Sequence, residues 1–382
     1  METMQPTLKS GRNTWDRINM PVCEFQARVR KIRRAMKREG MDLLLLYGHA
    51  FNEYGNYCYL TNYVIRLPQG AVVAVPYRGD ITLMLEGAAR GVSSVKKMTW
   101  ITDVRAGADV AKECVNYIKE KNHKISVVGI AGMERLMPHH QIQFLVDSLP
   151  GCRIISADPL LQEARMVKSE PELMQIRRAA RIVRNAFDFI AETSFPGPDA
   201  KLMEAAVRRE VRLEGAEDFR MMIARPGEKR WSFRPPAART ILSDDRVMIS
   251  LSVEFERYWA AAIRTFSFRG ASFTETLSDG LQTLSAGVRA ELKSGCRTSQ
   301  FYQAALTRIA ESGREFLSDY GLGQGIGLGP EEYPVLAQDD QATLREGMTL
   351  SFHLGIHDSE LGAMMNGDTI YLSRKGCEIL TR

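Results

Sequence analysis

Between Glu24 and Gly40 the apolar residues Phe25, Val29, Ile32 and Met36 recur at helical spacing, which predicts an amphipathic helix with one buried face. Gly40 ends it, and the unbroken apolar run Leu43–Tyr47 predicts a short buried strand. Two further strands are predicted at Gly70–Tyr77 and Ile81–Leu85, separated by an Arg-Gly-Asp turn. A helix over Ala108–Lys121, a strand over Ile125–Ile130 and a helix over Pro138–Leu149 complete the first part. Strands and helices alternating in this way predict an α/β N-terminal domain.

A boundary falls within Ser156–Leu173, where Pro159 and the helix-starting run Ser169-Glu-Pro-Glu interrupt the pattern. It divides the chain into 1–160 and 161–382. In the helix that follows, Leu173, Ile176, Ala180, Val183, Phe187 and Ile190 line one face. Phe195-Pro-Gly-Pro-Asp breaks it, and another helix is predicted over Asp199–Glu214. Two adjacent strands joined by a turn are predicted within Arg246–Gly270, with helices near 277–293 and 298–317. There is no internal repeat at solenoid periods and no low-complexity tract.

Composition narrows the class. A chain of 382 residues, 45% hydrophobic and 25% charged, fits a soluble protein of two ordinary domains. No run approaches the roughly 18–20 apolar residues of a membrane span. The stretch Met1–Met20 is polar, lacks the core of a secretory signal, and is expected to be a loose arm packing on a partner subunit. Six scattered cysteines without a CxxC pair fit a reducing cytoplasm better than a disulfide framework or zinc knuckle. Cytoplasmic localisation and no membrane partner are therefore expected. The formal charge of +5 is small, and the basic clusters Arg28–Arg38 and Arg177–Arg184 have helical spacing without aromatic interleaving. They read as solvated helix faces, not as a nucleic-acid surface.

Motifs in the second half are more specific in combination than singly. In order they are Tyr258 with the run Arg264-Thr-Phe, the glycine-rich Gly323–Leu328, Gly347-Met-Thr, Gly355-Ile and Asp368-Thr. With Tyr57–Val64 and the segment Arg165–Ile182, they make the chain resemble the creatinase/aminopeptidase P (M24, pita-bread) family, whose fold is shared with methionine aminopeptidase and prolidase. The resemblance implies an α/β N-terminal domain followed by an α+β pita-bread domain, and a homodimer. It also implies which positions would ligate two metal ions: aspartates at Ser250 and Ala261, a histidine at Gln324, and glutamates at His353 and Gly367. None of those ligands is present, so no metal and no cofactor is expected, because two hard divalent ions need anionic oxygen ligands. By the same resemblance, Phe233 and Glu331 replace two auxiliary histidines.

Chemistry without metal must come from what remains. Alternation along a strand puts Ser250, Ser252 and Glu254 on one face, with Glu256 in the following turn. Together with His353, Tyr258, Gln324 and Glu331 these form a polar cavity suited to proton transfer on a small-molecule substrate. His353, Glu254 and Glu256 are the catalytic candidates; Ser250, Ser252, Tyr258, Arg264, Gln324 and Glu331 are the substrate-binding ones. Each has a plainer alternative: a solvated strand glutamate, a satisfied core histidine, or, for Arg264, a pin between strands. His357 is a lesser candidate, His139 and His140 read as surface residues, and the glycines of 323–327 lack the strand–loop–helix context of a nucleotide loop. Three readings stay open: a metal-independent hydrolase of a C–N bond in an amidine, guanidine or amide, a non-catalytic binding protein, and a lyase or cyclase using the same acid–base pocket.

Overall fold

The computed structural model describes residues 15–50, 54–65, 69–87, 91–121, 125–193, 199–225, 232–237, 241, 246–269, 272–275, 279–358 and 362–382. The chain forms two compact units, Met1–Arg165 and Met166–Arg382. The expected arm lies mostly outside the described residues. No described helix is long and apolar enough to cross a membrane.

The first unit runs α1 (Val22–Glu39), β1 (Leu43–His49), α2 (Gly55–Thr61), β2 (Gly70–Pro76), β3 (Thr82–Glu86), α3 (Val92–Val95), β4 (Asp103–Gly107), α4 (Val110–Glu120), β5 (Val127–Ala131), α5 (His139–Ser148), β6 (Arg153–Ser156) and α6 (Asp158–Met166). Its six strands form one mixed sheet in the order β4-β3-β2-β1-β5-β6. The apolar stripe Phe25, Val29, Ile32 and Met36 of α1 is buried, and Gly40 closes the helix in the left-handed conformation. Helix α2 was not legible from periodicity because every one of its residues is buried, so it carries no polar face.

The second unit contains α7 (Glu170–Glu192), α8 (Ala200–Leu213), β7 (Asp218–Ala224), β8 (Arg246–Phe255), β9 (Tyr258–Arg269), β10 (Ser272–Glu275), α9 (Asp279–Arg289), α10 (Thr298–Glu311), β11 (Glu315–Phe316), β12 (Gly323–Gly325), β13 (Glu332–Val335), β14 (Thr349–Asp358), β15 (Gly362–Ser373) and β16 (Gly376–Ile379). Helix α7 starts at a capping box in which Ser169 and Glu172 satisfy each other's backbone N–H. Helix α10 stops six residues short of the expected 317, because Gly313 turns left-handed and β11 then pairs with β14. The main path of the ten-stranded sheet is β13-β12-β14-β15-β9-β8-β7.

One face of this sheet is covered by helices. Phe187 of α7 stacks on Phe266 of β9, and Phe301 of α10 packs edge-on against Phe352 of β14. Ile249, Leu251 and Val253 of β8 are 0% exposed on that side, whereas the alternate residues Ser250 and Ser252 are half-buried on the other. The same contrast separates Phe352 from Ser351 and His353 on β14. The second face is therefore open.

The two halves of the sheet meet where β9 runs beside β15, and the junction is unusual. Only Gly367 and Ile263 pair there directly, and threonine hydroxyls bridge the strands on either side. Thr369 Oγ1 accepts from Ala261 N and donates to Ala261 O, both at 2.8 Å. Thr265 Oγ1 donates to Met365 O at 2.9 Å. On the helix face Arg264 completes the seam: its guanidinium donates to Asn366 Oδ1, Gly367 O, Asp368 Oδ1 and Thr381 O.

This arginine is 5% exposed and stacked over Phe187, so removing it strands a buried carboxylate and several carbonyls. Arg264→Leu should lower unfolding stability by about 3 kcal/mol, as read from denaturant midpoints. A loss below about 1 kcal/mol would show that the seam does not depend on it.

Candidate active site

Strand register lines up the open face in rows. Directly opposed residues of antiparallel strands share a face, so Met222, Ser250, Ile263, Gly367 and His353 form one row across β7, β8, β9, β15 and β14. The neighbouring row carries Arg220, Ser252, Ala261, Thr369, Ser351 and Gln324. All five positions implied as metal ligands therefore fall in two adjacent rows, which brings Ser250, Ser252, Gln324 and His353 onto one surface. Three interstrand steps of about 4.8 Å put the Ser250 and His353 backbones roughly 14 Å apart, leaving room for a small molecule between them.

His353 is held from two sides. Its backbone N–H donates to Leu322 O, and its ring Nε2 lies 2.6 Å from the carbonyl oxygen of Tyr320. A carbonyl only accepts, so Nε2 carries the proton and Nδ1 keeps its lone pair. Nδ1 makes no hydrogen bond among the described residues. Burial pushes the imidazole pKa below its ordinary 6.5, against a smaller upward pull from the Tyr320 carbonyl. A neutral ring with an available nitrogen is the form that can take a proton.

Next to this row the face turns apolar. Ala224, Met248 and Met365 form a cluster with Phe233, Ile263 and Tyr320, and Phe233 meets Tyr320 edge-on at 5.6 Å. Phe233 thus supplies a hydrophobic wall where the family resemblance implied a histidine. Burial pushes the Tyr320 phenol up, offset in part by a hydrogen bond with the Phe233 backbone.

Other candidates are placed elsewhere. Glu254 shares the face of Ser252 by alternation but is 0% exposed, about 14 Å along β8 from Ser250. Glu256 and Arg257 form the two-residue turn from β8 to β9, both at positive φ. Arg257 ties that turn down by reaching Glu256 and Glu217, all three side chains being buried. Tyr258 is on the helix face, its hydroxyl donating to Glu172 Oε1 at 3.2 Å. Arg264, offered above as a substrate ligand, is also on the helix face and serves the seam. Glu331 is exposed, whereas its neighbour Glu332 turns inward to pair with Lys168 at 2.8 Å and to accept from Gly329 N.

Three contributors were not picked out from the sequence. Tyr320 acts through its backbone carbonyl, for which side-chain patterns carry no signal. Lys168 and Glu332 brace the glycine loop that follows Gln324, and only their proximity in space reveals the pair. Arg220 is exposed on the Ser252 row, its guanidinium 4.7 Å from the centre of the Trp259 ring. Its place in a strand register two strands away from β9 could not be read from spacing.

The implied ligand positions offer a hydroxyl, an amide and one imidazole, with no carboxylate, and this set does not fit a pair of hard divalent ions. Among the described residues no three His, Cys, Asp or Glu side chains group as a metal site. Position 367 leaves little room for a side chain: a Cβ there would lie 2.9 Å from His353 Cβ and 3.2 Å from Phe352 O.

Comparison with known proteins agrees with this architecture. Residues 174–374 match the model of metallopeptidase family M24, and residues 28–167 match the creatinase/prolidase N-terminal domain. The chain is 26% identical to an Xaa-Pro dipeptidase from Pyrococcus horikoshii over 72% of its own length and 81% of that protein. It is 24% identical to an agropine synthesis cyclase from Rhizobium rhizogenes over 94% of its length and 95% of that protein. Among solved structures, the prolidase from Pyrococcus horikoshii OT3 superposes with a TM-score of 0.75 at 22% identity, covering 93% of this chain and 98% of that one. The N-terminal domain of the FACT complex subunit SPT16 from Cicer arietinum shares the fold at a TM-score of 0.67 and 13% identity, covering 94% and 96% of the two chains.

The His353 environment has a measurable consequence. Because the folded pKa lies below the unfolded value of 6.5, stability from the neutral ring is complete above 6.5 and lost as pH falls through the folded pKa. Histidine NMR resonances followed through a pH titration about two units either side of the ordinary value should include a ring titrating below 6.5 that is missing in His353→Gln. An ordinary or raised pKa at His353 would contradict the burial and tautomer assigned here.

Proposed function

The chain belongs to metallopeptidase family M24, and from that premise we propose that it is a metal-independent enzyme that closes a ring within a small molecule. The observation that carries this reading is the open-face row itself: the ligand positions now hold neutral hydrogen-bonding groups and one base. A peptidase of this fold needs a strongly activated water, and the row carries no carboxylate either to ligate a metal pair or to act as the base. Ring closure makes a smaller demand, because the nucleophile is part of the substrate and the site mainly has to hold it near its target.

In this reading a substrate hydroxyl or amine attacks an acyl carbon of the same molecule. His353 Nδ1 takes the proton of the attacking group, while Ser250, Ser252, Ser351 and Gln324 are placed to donate to, or position, the substrate oxygens. The new bond to the acyl carbon forms as the bond to the departing water or amine breaks. His353 returns the proton to that leaving group, so no oxidant, reductant or net proton is needed. The apolar wall of Phe233, Met248 and Tyr320 limits competing water. The near-full-length likeness to an agropine synthesis cyclase supports the same reading, and agropine formation is the first reaction to assay.

Hydrolysis of a C–N bond by the same proton path is the second reading, favoured by the likeness to Xaa-Pro dipeptidases. Product mass separates the two: ring closure loses the elements of water or an amine, and hydrolysis gains those of water. His353→Ala should lower kcat by about 10²–10⁴-fold with the fold intact, while Glu256→Gln should leave kcat within about threefold. A product heavier by one water would overturn ring closure. Wild-type turnover in His353→Ala would overturn the placement of the chemistry.

A further inference from the structure

The open face has a charged end that the ring-closing chemistry does not use. Arg220 lies on β7, directly opposite Ser252, at the far side of the face from His353. Its side chain does not extend off the β7 edge into solvent, as edge-strand charges that block aggregation do. It leans across β8 and sets its guanidinium over Trp259 of β9, 4.7 Å from the ring centre. β7 and β9 are two interstrand steps apart, about 10 Å, so the arginine is laid along the face rather than away from it.

Two features make this guanidinium a binding group. Stacking on an indole uses the π face and leaves the five N–H donors at the edge of the plane. Among the described residues Arg220 makes no hydrogen bond and no ion pair, and the residue is exposed. The nearest carboxylate along its own strand, Asp218, accepts from Phe219 N instead. Trp259 itself is fully buried, and its backbone N–H donates to Gly327 O, which makes the platform under the arginine rigid.

We propose that Arg220 is the anchor for a carboxylate on the substrate, so that the enzyme acts on an elongated acid. Its charged end rests on Arg220, and its reacting acyl group meets His353. The guanidinium lies over Trp259, four residues along β9 from the His353 row and two interstrand steps from β14, which puts these points roughly 17 Å apart. The role once open to Arg264, meeting a substrate anion, falls to an arginine that faces the cleft. The inference rests on the open face being the substrate site, and not on which reaction occurs there.

Calorimetric titration with N-acetyl-L-glutamine and with its α-carboxamide tests it, since the two probes differ only in the charged group. Wild type should bind the acid about 10-fold more tightly than the amide, and added sodium chloride should shrink the difference. Arg220→Gln should bind the two equally, and Arg220→Lys should keep part of the preference. His353→Ala should retain it, so a failure of ring closure and a failure of the anchor are read separately. A preference that survives in Arg220→Gln, an equal affinity in wild type, or no binding of either probe would overturn the assignment.

Discussion

The seam between β9 and β15 is the constraint on which the candidate site depends. At most strand junctions, backbone hydrogen bonds fix the spacing; here two threonine hydroxyls and a buried arginine do so. Gly367 sits at the centre of that seam, where the strands come close enough to pair with Ile263. The seam holds Ser250 and Ser252 on one half and Ser351, His353 and Gln324 on the other at fixed separation. Polar groups taken out of water at such a junction are costly unless each is satisfied, and this network satisfies most of them internally. A site that spans both halves can be rigid only if the seam is.

Exchange of the ligand residues has changed the character of the cleft, not merely emptied it of charge. Acidic ligands would impose a dense negative potential; hydroxyl, amide and imidazole groups impose a weak one. The apolar cluster of Met248, Met365, Phe233 and Tyr320 lowers the local polarity further and keeps His353 neutral. The backbone at Gly367 runs close to β14, where a Cβ would meet His353 Cβ at 2.9 Å. With the acidic ligands gone, no carboxylate on the row competes with an anionic ligand for the exposed arginine at the rim. The cleft is graded from apolar, through neutral donors, to cationic.

Much of this architecture was legible in the sequence. The helices α1 and α7 were marked by apolar residues at helical spacing, and the family resemblance located the open-face row through Ser250, Ala261, Gln324, His353 and Gly367. Alternation alone correctly put Ser250, Ser252 and Glu254 on a common face, but not the depth of each. Whether a strand residue is half-open or enclosed depends on what packs over it, and that is set by distant segments. Glu254 and Glu256 are enclosed beside a turn pinned by Arg257, a contact invisible in local spacing. Arg264 and Arg220 make the same point in opposite directions: two strand arginines, one committed to the seam and one laid over an indole on the cleft. Strand order and register, not residue type, separate them.

The central claim is that this pita-bread cleft no longer has the means to hold a metal pair. Titration of the purified protein with Mn²⁺ and Co²⁺, followed by exhaustive dialysis and elemental analysis, tests it directly. The account predicts no stoichiometric metal and no saturable heat of binding at micromolar concentration, as expected of a donor set without carboxylates. Retention of about two ions per chain, the stoichiometry of a two-metal hydrolase, would contradict it.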